Sequence, residues 1–276
     1  MFDALSHTLY HPSTIAHTAV ELLDRVRATT PLVHCLTNSV VTGFTANALL
    51  AVGATPAMVD LPGEAGPFAS VADAILINLG TPHAAHRDAM LEAVQVARTH
   101  GTPWVLDPVA VGILPIRTAL ADQLRGEHPT AIRGNASEIM ALAGAGSGGR
   151  GTDATHSVAD AQHAARTLAH STGGVVAVSG PTDFITDGDR DIYLGNGHRF
   201  LTTITGGGCA LGAVTAAFLA VHDTPLLAVT GAHMVYTIAA QRAADKAHGP
   251  GSFQVAFLDE LATVTGDAIV AEAIIS

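Results

Sequence analysis

Three segments of the chain carry residues able to hold a phosphate and its counter-ion. Thr205–Gly206–Gly207–Gly208–Cys209 lies between an extended segment and a long helical stretch. Three glycines let backbone approach a ligand, and amides at a helix N-terminus attract anions. The same residues also read as a flexible turn before a helix. Cys209 in the first helical turn tilts the reading toward an anion hole formed by Gly206, Gly207, Gly208 and Cys209, with a thiol whose pKa the helix dipole lowers.

The other two segments place acids where apolar runs end. Asp107 closes Trp104–Val105–Leu106–Asp107–Pro108, and Glu138 ends Arg133–Gly134–Asn135–Ala136–Ser137–Glu138. In open α/β sheets, ligands bind at the carboxyl ends of strands. One reading makes Asn135 and Glu138 a helix cap with its reciprocal partner. The other makes Asp107 and Glu138 oxygen ligands for a nucleotide-bound magnesium, with Arg133 neutralising phosphate. Earlier in the chain, Asn38 reads as a cap or a ligand hydrogen-bonder, and Met58 as core or pocket.

The elements that must position these residues alternate. Apolar runs at 32–36, 56–59, 74–79, 104–107, 131–133 and 175–179 predict buried strands. Between them, helices are expected at 43–52, 83–100, 116–125, 136–142 and 158–172, the last capped by Ser157. A first helix through about residue 28 has Ser13 as its expected cap. This is a parallel-sheet pattern. Residues 184–186 and 191–194, joined by a turn at Asp187–Gly188, predict an antiparallel edge, and helices follow at 210–221, 226–247 and 253–264. The glycine-rich run 144–155 reads as a surface loop because the alternation resumes after it. The expectation is one domain spanning residues 1–276.

Composition narrows the function. A formal net charge of −11 with scattered Lys and Arg disfavours nucleic acid and anionic membranes. Two cysteines, Cys35 and Cys209, without C-x-x-C spacing suggest neither a zinc knuckle nor a disulfide framework. No apolar run approaches the ~18 residues of a membrane span, and the first residues lack a signal-peptide pattern. The expectation is a cytoplasmic protein. Several motifs are declined. Residues 144–149 match G-x-G-x-x-G but follow a helix, and the pairs His83/His86 and His7/His11 lack a third ligand. With no G-x-x-x-x-G-K-[ST] present, any ATP site is not a P-loop.

Taken together, the segments resemble the hydroxyethylthiazole kinase family of the ribokinase-like superfamily, from about Pro31 to Phe257. The stretches that carry the resemblance are His34–Cys35–Leu36–Thr37–Asn38, Phe44–Thr45–Ala46–Asn47, Pro56–Ala57–Met58, residues 106–112, Arg133 to Glu138, and Gly208–Cys209–Ala210. The resemblance implies a three-layer α/β/α fold, ATP-dependent phosphorylation of 4-methyl-5-(2-hydroxyethyl)thiazole for thiamine salvage, and a homotrimer with sites at subunit interfaces. It implies that Met58 and Gly206 contact the thiazole with Asn38 nearby, that Arg133 and Ser179 contact ATP, and that Asp107 and Glu138 organise Mg2+. It gives Cys209 the place held by a catalytic aspartate in most ribokinase-like enzymes. Two departures stand out. Gly207 replaces a threonine common in the family, removing a hydroxyl, and Ser179 replaces a threonine while keeping one.

The mechanism this implies is in-line attack of the substrate hydroxyl on the γ-phosphorus, with charge stabilised at residues 206–209. Three alternatives stay open on the sequence: Cys209 as a covalent nucleophile paired with a histidine, a ligand-binding protein without turnover, and a kinase for another small alcohol such as a hydroxymethylpyrimidine.

Overall fold

The computed structural model describes residues 10–146, 148–149 and 156–276. In chain order the elements are α1 (Pro12–Thr29), β1 (Leu32–Leu36), α2 (Thr42–Val52), β2 (Thr55–Ala57), α3 (Ala65–Ala69), β3 (Ala74–Asn78), α4 (Ala84–His100), β4 (Trp104–Asp107), α5 (Pro115–Arg125) and β5 (Ala131–Asn135). There follow α6 (Ala136–Leu142), α7 (Val158–Thr172), β6 (Val175–Ser179), β7 (Asp183–Thr186), β8 (Asp191–Leu194), a 3-10 turn (Arg199–Thr202), α8 (Cys209–Leu219), α9 (Pro225–Lys246), α10 (Pro250–Thr263) and α11 (Gly266–Glu272).

The strands form one sheet in the order β2-β1-β3-β4-β5-β6-β7-β8. Pairing is parallel through β6 and antiparallel at β7 and β8. Both faces are covered, which is why the parallel strands read as continuous apolar runs. Side chains alternate between the two faces along each strand. Val33, Cys35, Ala74, Leu76, Val105, Ala131 and Ala177 pack with α1, α2, α8, α9 and α10. Ile75, Ile77, Leu106, Ile132 and Val178 pack with α4 to α7 on the other side. This is the three-layer α/β/α arrangement expected from the sequence.

The first helix begins differently from expectation. His11, not Ser13, is its cap, the ring Nδ1 accepting from the Ser13 amide. Pro12 can start a helix because its missing N–H would have no partner there. His83 plays the same part for α4, accepting from the His86 amide. Its nearness to His86 is therefore a capping arrangement, and no group of three or more His, Cys, Asp or Glu among the described residues is placed to hold a metal. His7 and most of the glycine-rich run 144–155 lie outside the described residues. Among the described residues no helix is long and apolar enough to cross a membrane.

Candidate active site

Register builds the site. Asn78 pairs with Asp107 across β3 and β4, and Asn135 with Ser179 across β5 and β6. Counting in twos from Leu76, Val105, Ala131 and Ala177, the side chains of Asn78, Asp107, Arg133 and Ser179 all face the α8–α9 layer. Four polar side chains thus meet at the carboxyl ends of four neighbouring strands, directly under the start of α8.

Hydrogen bonds join them. Asp107 Oδ2 accepts from Asn78 Nδ2 at 2.8 Å and pairs with Arg133 Nη1 at 3.4 Å. Arg133 Nη1 also donates to the Gly208 carbonyl at 2.9 Å, and Nη2 donates to Ser179 Oγ at 2.8 Å. Asn78 Oδ1 accepts from Asn38 Nδ2 at 2.9 Å and from the Gly80 amide at 3.0 Å. Asn38 Nδ2 in turn donates to Cys209 Sγ at 3.5 Å. Among the described residues Asp107 Oδ1 is buried without a hydrogen-bond partner.

Glu138 joins this group through backbone. Asn135 caps α6, and Glu138 returns the bond, its Oε2 accepting from the Asn135 amide at 2.9 Å. Its Oε1 accepts from the Ala110 amide at 3.0 Å. That second bond holds a strained turn, since Ala110 has φ of 58°. The capping reading of Glu138 is realised, and the same carboxyl group lies close enough to Asp107 and Arg133 to feel both charges. Burial first, and the Asp107 charge second, push its carboxyl up to about 7, against the two amides and Arg133. Burial likewise raises Asp107, opposed by Arg133 and Asn78. Burial works against the Arg133 charge, but Asp107, Glu138, Cys209 and Asp183 outweigh it and keep the guanidinium ionised.

Each carbonyl of the glycine segment is engaged. The Gly206 carbonyl accepts from the Ala210 amide, the Gly207 carbonyl from Tyr236 Oη at 2.8 Å, and the Gly208 carbonyl from Arg133. In a planar trans peptide the N–H points opposite to its C=O. The amides of Gly207, Gly208 and Cys209 therefore each lie on the side of their own peptide plane away from an engaged carbonyl. Gly206 has φ of 93°, and a Cβ there would lie 2.8 Å from Phe44 Cδ1. α8 has no side-chain cap.

The thiol departs from expectation. The net shift of Cys209 is upward. Burial first, and the Asp107 carboxylate second, push it up to about 11, although Asn78, Arg133 and Asn38 favour the thiolate. Its hydrogen-bond partner is Asn38, with no histidine in contact among the described residues. A covalent nucleophile activated by histidine has no support in this geometry.

A model of the hydroxyethylthiazole kinase family matches residues 23–267. The chain belongs to this family. It is 58% identical over 252 residues to a hydroxyethylthiazole kinase of Clavibacter sepedonicus, covering 91% of this chain and 92% of the relative. It is 54% identical over 259 residues to one of Corynebacterium glutamicum (strain R), covering 92% and 97%. A solved hydroxyethylthiazole kinase protein from Pyrococcus horikoshii OT3 superposes with a TM-score of 0.87 at 37% identity, over 94% of this chain and 98% of that one. A pyridoxal kinase from Staphylococcus aureus, at TM-score 0.57 and 20% identity over 76% of this chain and 87% of that one, shares the fold.

Within this family member, Asn38, Asp107, Arg133, Ser179, Gly208 and Cys209 form one bonded group. Met58 stands apart from it, following β2 and half-buried against the core on the α8–α9 side. Gly207 has a structural reason to lack a side chain: a Cβ there would lie 2.2 Å from the Leu201 carbonyl oxygen. Two members of the group were missed from sequence. Asn78 closes an apolar strand as Asp107 does, the same signal. Tyr236 sits on a helix buried nearly all round, where a phenol needs a partner, but its partner is set only by the packing of α9.

Proposed function

We propose that the bonded group at the start of α8 is the phosphoryl-transfer site of this hydroxyethylthiazole kinase, carried on one kinase domain. Family membership makes the protein an enzyme that phosphorylates the hydroxyl of 4-methyl-5-(2-hydroxyethyl)thiazole, with ATP as co-substrate. The observation that carries the site assignment is Arg133, whose single guanidinium reaches Asp107, the Gly208 carbonyl and Ser179 together.

In this reading Arg133 and Ser179 take the ATP phosphates, and Met58 and Gly206 hold the thiazole with Asn38 beside the hydroxyl. The outward amides of Gly207, Gly208 and Cys209 stabilise charge on the transferring group. Cys209, protonated at neutral pH, borders the hydroxyl and donates or accepts weakly; loose phosphoryl transfer asks little of a base. Asn78 fixes Asp107 so that one oxygen stays free.

The residues fit a magnesium ion. Asp107 and Glu138 bring two carboxyl groups against one guanidinium, and Asp107 Oδ1 is buried with no hydrogen-bond partner among the described residues. Hard oxygen ligands completed by water and phosphate are what magnesium takes. When bound, the ion supplies charge neutralisation on the phosphates. Asp107 and Glu138 would hold it.

A homotrimer with sites at subunit interfaces is part of the same proposal. β2 is an open sheet edge, and Val40, Leu50 and Leu61, around Met58 in sequence, expose 66%, 61% and 55% of their surface. Such apolar exposure beside an edge strand suits a subunit contact. Light scattering gives the mass.

The deciding experiment is ADP release with ATP and magnesium across thiazole, pyrimidine and sugar alcohols. The thiazole alcohol is expected to give the highest kcat/KM. A response only to the pyrimidine or sugar would overturn the substrate assignment, and the wild-type pattern from Arg133→Ala would overturn the site.

A further inference from the structure

Two fully buried histidines lie behind the site, one on each side of the sheet, and neither touches the reacting groups. His233 is on α9, its Nδ1 2.7 Å from Asp183 Oδ2. Asp183 Oδ1 accepts from the Gly180 amide at 2.9 Å. Gly180 follows Ser179 in the turn joining β6 to β7, and a Cβ on it would lie 2.3 Å from Val158. The turn is pressed between α7 and the Asp183 carboxylate. His233 and Tyr236 are one turn apart on α9, so one helix face supports both this turn and the Gly207 carbonyl.

His34 is on β1, facing the opposite layer. The parallel pairing of β1 with β2 ends at His34 and Ala57, so Met58 and Val59 have left the ladder. His34 Nε2 takes up the next position by side chain, 2.6 Å from the Val59 carbonyl. The Val59 carbonyl can only accept, so Nε2–H donates, and burial lowers the pKa of the ring. The ring packs edge-on against Phe68 of α3, with centroids 5.0 Å apart. Beyond Val59, Glu92 accepts from the amides of Gly63 and Gly66, closing the hold on this loop.

We infer that these histidines are positioning residues with divided duties: His233, through Asp183, sets the turn that offers Ser179 to the nucleotide, and His34 sets the loop that offers Met58 to the thiazole. The inference rests on the site assignment above. It explains why a buried Asp–His pair and a buried histidine–carbonyl bond exist where apolar residues of similar volume would fill the space.

The test is a crossed measurement of KM for both substrates, with Kd for ADP and for the thiazole alcohol by calorimetry and a melting temperature for each variant. His34→Phe keeps a ring against Phe68 and loses the donor; thiazole KM and Kd should rise about tenfold, as for one hydrogen bond, with ATP KM within about twofold. His233→Phe should do the reverse. His34→Gln and His233→Asn, which keep a donor near the Nε2 and Nδ1 positions respectively, should recover most of each loss. If a lone buried Asp183 carboxylate prevents His233→Phe from folding, His233→Phe with Asp183→Asn removes that charge and should still raise nucleotide KM and Kd. Equal shifts in both substrates, or a lowered melting temperature with neither KM changed, would overturn the inference. Met58→Ala and Ser179→Ala are run alongside. If these leave thiazole and ATP binding unchanged, the site assignment falls and takes the inference with it. If they respond while the histidine variants do not, the inference alone fails.

Discussion

Two helices begin within the site, and they begin in opposite ways. α6 is closed at its start: Asn135 accepts from the Glu138 amide, and Glu138 returns to the Asn135 amide, so its own acid sits at the positive end of the helix. α8 is open: Gly208 offers no side-chain cap, and the carbonyls before it are drawn back by Ala210, Tyr236 and Arg133. One helix start has filled its amides with its own side-chain oxygens and leaves no place for an anion. The other has supplied none and favours an anion. Arg133 spans the gap, one nitrogen on Gly208 and the same nitrogen near Asp107. On the assignment proposed above, a magnesium-bound phosphate would meet the carboxyl groups at one end and the amides at the other.

The sharpest way to break this contrast is to spoil the open end. Gly206→Val puts a branched side chain at φ of 93° against Phe44, and kcat should fall about a thousandfold, the upper range for losing anion-hole donors. Activity within tenfold of wild type would remove the anion hole from the account. Next, Asp107→Asn keeps the shape and removes the charge at the closed end; a drop of about a hundredfold in kcat is expected, with ADP binding measured without magnesium little changed. The third prediction concerns stability. Glu138 titrates near 7 in the fold against 4.5 for the free group, so it favours the folded state fully below about pH 4.5 and loses that contribution as pH rises through about 7. Unliganded protein should melt progressively lower from pH 5 to 8, by roughly 2–3 kcal/mol of stability in all, and Glu138→Gln should flatten the curve. The smallest effect is expected from Cys209→Ser, a slowing of about fivefold without loss of activity, because loose phosphoryl transfer needs little base. Equal losses in Cys209→Ser and Gly206→Val would erase the distinction between amide and thiol.

What the sequence made legible was mainly local. β4 and β6 were readable to the residue because three and four apolar side chains in a row, each ended by a polar residue, leave little choice for a strand buried on both faces. The reciprocal cap of α6 is a three-residue spacing and was equally visible. β5 was expected to stop at Arg133, where charge breaks the pattern. It continues to Asn135 because Gly134 and Asn135 pair with Val178 and Ser179, while Asp107 and Ser179 satisfy the arginine. The short helices α3 and α11 were missed because one or two turns show too little periodicity. Asn78, Tyr236 and the Asp183–His233 pair were missed because their partners are brought close by strand order and helix packing. The direction of the Cys209 shift was misread for the same reason. A helix dipole can be inferred from neighbouring residues, but burial and a carboxylate from another strand cannot.

The raised thiol has a consequence for the life of the enzyme in an oxidising environment. With a pKa of about 11, on the order of one molecule in ten thousand carries the thiolate at pH 7. Peroxide and alkylating agents react with the thiolate, not the thiol. The resting enzyme should therefore withstand hydrogen peroxide that inactivates enzymes with exposed low-pKa cysteines. Electrophilic inhibitors aimed at Cys209 would find a slow target, and compounds shaped to the glycine loop a better one.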